Sequence, residues 1–231
     1  LASLTKILVT TPLLMKLVQE KKIKINDKIG SLIPRYANSN KSNITIKELL
    51  SGYAGLVPWI PFYRETLNND LKPSKDLYNF KLKDVFNLKV APNLYLKESY
   101  RDSIFEKIKI SPISDEKAQY SDLAFLMLQE YIENEYQKNL DQIVKRNLFN
   151  EIGVNLTYNP SNVISTKYIT PSEIDNYFRH KEIHGYVHDM AASMLGGIAG
   201  HAGLFGSAIE VAKMMQLFLQ GGEYGLSLIP I

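Results

Sequence analysis

The chain has 231 residues, 45% of them hydrophobic and 22% charged, which is enough apolar material for one sizeable core and unlike a disordered composition. Its 27 basic and 24 acidic residues leave a formal net charge of +3 and are spread along the whole length, which excludes the basic stripe of a nucleic-acid binder. Without cysteine there is neither a disulfide nor a thiolate metal site; an exported bacterial enzyme can also lack cysteine, so composition leaves the compartment open.

The chain opens on Leu1 rather than Met, and no basic segment followed by an apolar run marks a signal peptide, so it reads as cut at its start. From Leu4 to Glu20 the apolar residues Leu4, Ile7, Leu8, Leu14, Leu17 and Val18 recur at helical spacing, with Ser3 in the capping position before them. Pro12 lies inside this helix and is expected to loosen one turn, because it lacks the donor that Leu8 would receive. The polar KKIKINDK stretch follows as a turn. Thr45 and Glu48 form a Thr-x-x-Glu capping box for a short helix running toward Gly52 and Gly55.

Residues 58–112 carry Trp59 and many other aromatics without a clean period, and read as loops with short helices. Ser121 and Asp122 precede Leu123, Leu126, Met127, Tyr131 and Ile132, so a helix is entered immediately after Tyr120. Asn139 and Gln142 suggest a further capping box, with Gly153 as the stop; Ser207 and Glu210 suggest another, ahead of Val211, Met214, Met215 and Phe218. Period-2 runs are scarce, so the chain reads as predominantly helical. The uncharged stretch from Met190 to Ile209 has spanning length, but five glycines and His201 make it a poor membrane helix.

Three places could carry chemistry. Ser3-Leu4-Thr5-Lys6 has Ser-x-x-Lys spacing, which on a helix stacks hydroxyl and amine one turn apart, a geometry suited to activating a serine. By spacing alone Ser3 could equally be an ordinary helix cap, and Ser114-Asp115-Glu116-Lys117 repeats the pattern in a polar stretch with no apolar helix behind it. His184 and His188 stand at i, i+4 and could suggest a metal pair, or a loop that orders a wall. The aromatics from Trp59 to Tyr63 could face a substrate or fill the core. Lys28-Ile29-Gly30 reads as a polar turn.

ASLTK ahead of a long apolar helix, ITIKELLSGYAGL, Tyr120-Ser121-Asp122 and GGIAGHAGLFGSAIEVAKMMQLFLQGG stand in this order, and together the chain resembles the class C β-lactamase and D,D-peptidase-like (penicillin-binding-protein-type) serine hydrolases. The resemblance covers nearly the whole chain. It implies an α/β parent fold of which residues 1–231 are one partial domain, mainly the helical lobe, truncated at both ends. It also implies Ser3 as nucleophile, with Lys6 and Tyr120 as its proton-handling partners.

Asp122 takes the place where the family usually has asparagine. A carboxylate there cannot donate when ionised and would keep Lys6 protonated, leaving Tyr120 the larger role; alternatively Asp122 merely caps its helix. The family's third motif, Lys-Thr-Gly or His-x-Gly on a central strand, has no match. His201-Ala202-Gly203 lies too early, which assigns His201 to packing or to the substrate-facing rim of the cleft rather than to catalysis. Asp122 and His201 are thus the expected substrate-binding residues.

The implied chemistry is acyl transfer through a serine acyl-enzyme on β-lactam, cell-wall peptide or ester substrates, without metal or cofactor. The isolated chain is expected to be nearly inactive, because the family's third-motif strand supplies one donor of the oxyanion hole. A non-catalytic cell-wall-binding relative is the competing reading. The segments GLVPWIPFY and VHDMAASMLGGIAGHAGLF resemble a bacterial subgroup sometimes fused to a β-N-acetylglucosaminidase-type glycosidase, which implies a cell-wall substrate and a periplasmic or extracellular parent protein.

Overall fold

The computed structural model of the chain describes residues 1–116, 118–224 and 227–228. Its organising element is the first helix, π-helical over Lys6–Thr10 and continuing as α1 (Thr11–Gln19). The loosened turn expected from Pro12 is this π turn: the Thr11 N–H reaches back to the Lys6 carbonyl, and Pro12 follows near the start of α1, where a missing N–H costs little. Leu8, Val9, Leu13, Leu14 and Leu17 are all buried in the core, each contributing about 1.5–3 kcal/mol.

Lys28-Ile29-Gly30, read from sequence as a polar turn, is more than that. Ile29 is fully buried and opens α2 (Ile29–Leu32), and Lys28 pairs with Thr45 in an isolated β-bridge. The capping box before α3 (Ile46–Ser51) is formed as the sequence indicates. The Glu48 N–H donates to Thr45 Oγ1 at 3.2 Å, and the Thr45 N–H donates back to Glu48 Oε2 at 2.8 Å. Gly52 closes the helix at φ 72°, in the left-handed region.

The reading of residues 58–112 as loops with short helices needs correction. They build an antiparallel three-stranded sheet from β1 (Tyr78–Asn79), β2 (Phe86–Ala91) and β3 (Leu94–Lys97), in the order β1-β3-β2, and then α4 (Tyr100–Ile110). The sheet escapes a period-2 search because β2 slips register twice against β3, which breaks the alternation of faces.

Next come α5 (Asp122–Tyr136), α6 (Leu140–Val144), a π turn over Lys145–Phe149 and α7 (Asn150–Ile152), ended by Gly153. Ser121 caps α5 by accepting from the Leu123 N–H at 3.2 Å, so Asp122 is left free for another contact. Asn139 stands at the N-cap of α6, but its side chain makes no capping bond; the Leu140 N–H donates instead to Glu133 Oε1 at 2.9 Å. The capping box expected there does not form.

The remaining elements are β4 (Thr157–Tyr158), β5 (Glu173–Asp175), β6 (Lys181–Ile183), α8 (Met190–Met194), β7 (Leu204–Phe205), α9 (Ala208–Leu219), β8 (Glu223–Tyr224) and β9 (Ser227–Leu228). β4 pairs with β7, β5 with β6 and β8 with β9, all antiparallel. The box expected before α9 is also missing, since Glu210 Oε2 accepts from the Asn155 N–H and Ser207 makes no side-chain cap. Of the four α9 residues expected to face inward, Met214 is buried while Val211, Met215 and Phe218 are half-buried. The stretch Met190 to Ile209 forms only the five-residue α8, a turn-rich loop and β7, and among the described residues no helix is long and apolar enough to cross a membrane.

The hairpin β5/β6 is fastened to the next loop by one buried ion pair. Arg179 Nε donates to Asp175 Oδ2 at 2.6 Å with both side chains fully buried, and its Nη atoms donate to Glu173 Oε1 and to the carbonyls of Val187 and His188. Burial alone would push the Asp175 carboxyl up, but Arg179 and the Phe178 and Tyr177 N–H groups hold it below its ordinary value. Arg179→Met strands a buried carboxylate and two carbonyls; we expect it to lower unfolding stability by about 3–5 kcal/mol in urea titrations. A loss within about 0.5 kcal/mol would mean that the pair is not buried in solution.

Candidate active site

Ser3 stands at the sharp entry to the first helix. Ala2 before it sits at φ 45°, a left-handed conformation that a non-glycine residue adopts only at a cost of order 1 kcal/mol. Three successive tight turns follow, with the N–H groups of Leu4, Thr5 and Lys6 donating to the carbonyls of Leu1, Ala2 and Ser3. Thr5 Oγ1 locks the bend by donating to the Ala2 carbonyl at 2.7 Å and accepting from the Leu204 N–H at 3.2 Å. Ser3 lies at the exposed surface, and its hydroxyl makes no capping bond to the helix behind it.

That hydroxyl instead accepts two hydrogen bonds, from Lys6 Nζ at 2.9 Å and from the Tyr120 hydroxyl at 2.9 Å. Lys6 Nζ also donates to Tyr120 at 2.6 Å and to Asp122 Oδ1 at 2.7 Å, closing a triangle of Ser3, Lys6 and Tyr120 with Asp122 on its far side. Lys6 is 4% exposed, and the fourth and longest contact of its amine is the His201 carbonyl at 3.4 Å. Tyr120, by contrast, is 61% exposed, so the triangle opens to solvent on the tyrosine side. Ser121, the α5 cap, donates to the Val57 carbonyl at 2.7 Å and fixes the segment that carries Tyr120.

All five sequence-predicted site residues therefore meet, three as a triangle and two behind it. His201 is not at an open rim: it is 1% exposed, and its Nε2 lies 2.8 Å from Asp189 Oδ1. Asp189 also caps α8 by accepting from the Ala192 N–H at 2.7 Å, and this cap and imidazole anchor was not read from sequence. Its signal was present as an aspartate immediately before the MAASM helix. Burial would raise the Asp189 carboxyl, but His201 and the Ala192 N–H bring it down to about 2.

The glycine-rich loop is clamped between two helices. Thr10 Oγ1 donates to the Gly200 carbonyl at 2.7 Å, and Gln129 in α5 accepts from the Gly200 N–H at 2.9 Å. A side chain at position 200 would meet the Phe125 carbonyl at 2.5 Å, so only glycine allows this approach. The loop thereby delivers the His201 carbonyl to Lys6.

The other sequence candidates fall elsewhere. The segment holding His184 and His188 is not helical; His184 Nε2 contacts the Ile169 carbonyl and His188 Nε2 pairs with Glu173, so the two rings do not converge. The i, i+4 reading fails because it needs a helix. Ser114 is exposed, with its hydroxyl accepting from the Glu116 N–H, and Lys117 lies outside the described residues. The aromatic segment divides: Trp59 is exposed beside Asp122 and His201, while Phe62 and Tyr63 are buried. Asp122, Asp189 and His201 each bring one possible metal-ligand atom within 4.8 Å of the others, but Asp122 is already engaged by Lys6.

Solved structures place this architecture among penicillin-binding-protein-like folds. A penicillin-binding protein from Bacillus halodurans superposes with a TM-score of 0.62 at 16% identity, covering 98% of this chain and 61% of that one. The octameric penicillin-binding protein homologue from Pyrococcus abyssi gives 0.60 at 16% identity, covering 100% and 46%. The chain belongs to the Beta-lactamase family, whose model matches residues 1–227. Among curated proteins, one from Escherichia coli (strain K12) and one from Salmonella agona (strain SL483), each named "Putative D-alanyl-D-alanine carboxypeptidase", are 30% identical over 247 aligned residues. The alignments cover 97% of this chain and 51% of those proteins, so the chain spans about half the length of the curated relatives it matches.

The Asp189–His201 contact gives this site a pH signature. The folded carboxyl titrates at about 2 against an ordinary 3.8, so its contribution to stability is complete above the ordinary value and is lost as pH falls toward 2. Wild type and Asp189→Asn should therefore differ in urea midpoint by a constant amount above about pH 5 and converge between about pH 4 and 2. A difference that stays constant down to pH 2 would contradict the assignment.

Proposed function

We propose that this chain carries the nucleophile lobe of a serine hydrolase that works by acyl transfer. The observation that carries the reading is the closed triangle in which Ser3 Oγ receives both Lys6 Nζ and the Tyr120 hydroxyl at 2.9 Å. In the proposed step Tyr120, having given up its own proton to solvent, works as a phenolate steadied by the positive charge of Lys6 at 2.6 Å from its oxygen; Ser3 Oγ attacks a carbonyl carbon, its proton passes to that phenolate, and the negative charge moves to the carbonyl oxygen. Because Lys6 is ion-paired with Asp122 at 2.7 Å, the moving proton is assigned to the tyrosine and the fixed charge to the lysine. Collapse of the tetrahedral species expels the leaving group, which takes the proton back from Tyr120, and water then hydrolyses the acyl-serine by the same relay.

Cell-wall peptides are the preferred substrate class, supported by the carboxypeptidase names of the curated relatives; β-lactams and simple esters share the same acyl chemistry. A periplasmic or extracellular site of action follows from that substrate, and a fused glycosidase in the parent protein would fit the same role. Asp122 also favours a second reading, a cell-wall-binding relative that acylates without turning over, since its carboxylate replaces a neutral amide beside the lysine.

Tyr120→Phe removes only the hydroxyl. In the full-length protein it should leave KM within a few-fold and lower kcat for a p-nitrophenyl ester by about two to four orders of magnitude, measured under saturating substrate. Wild-type turnover in this variant would remove Tyr120 from the mechanism. Burst labelling without release in the unmutated protein would select the binding reading.

A further inference from the structure

On the side of Ser3 away from Tyr120 lies a cavity of about 420 Å³ whose polar wall comprises Asp122, Ser172, His188, Asp189 and His201. Its unused hydrogen-bonding capacity has one sign. Asp122 Oδ1 takes the Lys6 proton, but Asp122 Oδ2 has no hydrogen-bond partner among the described residues. Asp189 Oδ1 takes the Ala192 N–H and faces His201 Nε2, and its Oδ2 is similarly without one. His201 is 1% exposed; its Nε2 faces the Asp189 carboxylate, and its Nδ1 is buried without a partner and has no surface on the cavity.

Charge points the same way. Four carboxylates, those of Asp122, Asp189, Glu173 and Asp175, stand in or directly behind this wall against two permanent cations, Lys6 and Arg179. The carboxylates outnumber the permanent cations by two, and Arg179 holds the wall in place through the Val187 and His188 carbonyls. Asp122 Oδ1 and Ser3 Oγ are both within direct hydrogen-bond reach of Lys6 Nζ, so the wall lies close to the reacting atom. The low Asp189 carboxyl value keeps that residue ionised at neutral pH.

We propose that this cavity is a specificity subsite for a primary ammonium group carried by the substrate a few bonds from the scissile carbonyl. An ammonium supplies donors and one positive charge, which match the two free carboxylate oxygens of Asp122 and Asp189. Asp122 thus serves twice, with one oxygen on Lys6 and the other toward the substrate, a task that a neutral asparagine at this place would perform more weakly. Asp189 is a specificity residue of the same site, and His201 positions it. This assignment rests on the reading of Ser3 as nucleophile and extends it to a substrate class: cationic acyl donors over neutral ones of the same shape.

Alkylboronic acids test both layers separately in the full-length protein. The serine oxygen donates an electron pair to trigonal boron, its proton passes to the neighbouring base, and nothing leaves. Pentylboronic acid and 4-aminobutylboronic acid differ only by methyl against ammonium, and propyl against 2-aminoethyl, and butyl against 3-aminopropyl, scan the distance. Inhibition constants measured at pH 7 in EDTA should favour the ammonium member of the best-fitting pair by about tenfold or more. The preference should shrink in 0.5 M salt and in Asp189→Asn, read as a ratio to the neutral boronate so that any general loss of folding or reactivity cancels. Equal or weaker binding of the ammonium member at every length, with the neutral boronates still inhibiting, would overturn the subsite alone. So would a preference that appears only with added Zn²⁺, which would make the cluster a metal site. Failure of all boronates to bind would remove the serine reading, and the subsite with it.

Discussion

A buried ammonium group with one carboxylate partner dictates how four distant segments of the chain meet. Lys6 is 4% exposed, and a charge so placed is tolerated only if it is paired and its protons are used. Its three short contacts come from three different places: Ser3 one turn back, Tyr120 just before α5, and Asp122 at the first position of α5. The fourth comes from the glycine-rich loop nearly two hundred residues on. Each of these segments is therefore fixed relative to the others by one amine, and each is held a second time from behind. Ser121 ties the Tyr120 segment to Val57, and Thr10 with Gln129 ties the loop to both helices. A site assembled in this way is pre-organised, as the proposed proton relay requires.

The strained entry at Ala2 belongs to the same logic. A helix that began one residue earlier with ordinary capping would spend the Ser3 hydroxyl on its own backbone. Here the bend is secured by Thr5, which leaves that hydroxyl for Lys6 and Tyr120. The backbone cost at Ala2 is local and small beside the apolar burial of Leu8, Val9, Leu13 and Leu14 directly behind it.

Much of this was legible in the amino-acid sequence because the informative signals are short-range. The Thr45 box, the Pro12 loosening, the entry to α5 after Tyr120 and the Ser-x-x-Lys stacking all act over three or four residues, and all four appear in the structure. The family was equally legible from the order of the motifs. What failed had long-range causes. The capping positions at Asn139 and Ser207 lost their expected bonds, the N–H of Leu140 going to Glu133 and Glu210 taking the distant N–H of Asn155. The β1–β3 sheet was hidden by register slips, and the Arg179 clamp joins residues whose contact no periodicity predicts. His201 is the most instructive of these residues. Sequence suggested packing or a rim; the structure gives it a buried ring on Asp189 and a backbone carbonyl on Lys6, so it serves the site mainly through its main chain and its partner.

If the triangle works as proposed, Ser3 and no other serine is the acylated residue. The direct measurement is to treat the full-length protein with a fluorophosphonate and locate the added mass in tryptic peptides. A single modified peptide ending at Lys6 with the label on Ser3 is expected, with loss of labelling in Ser3→Ala. Label on Ser114 or Ser121, or unchanged labelling of Ser3→Ala, would contradict it.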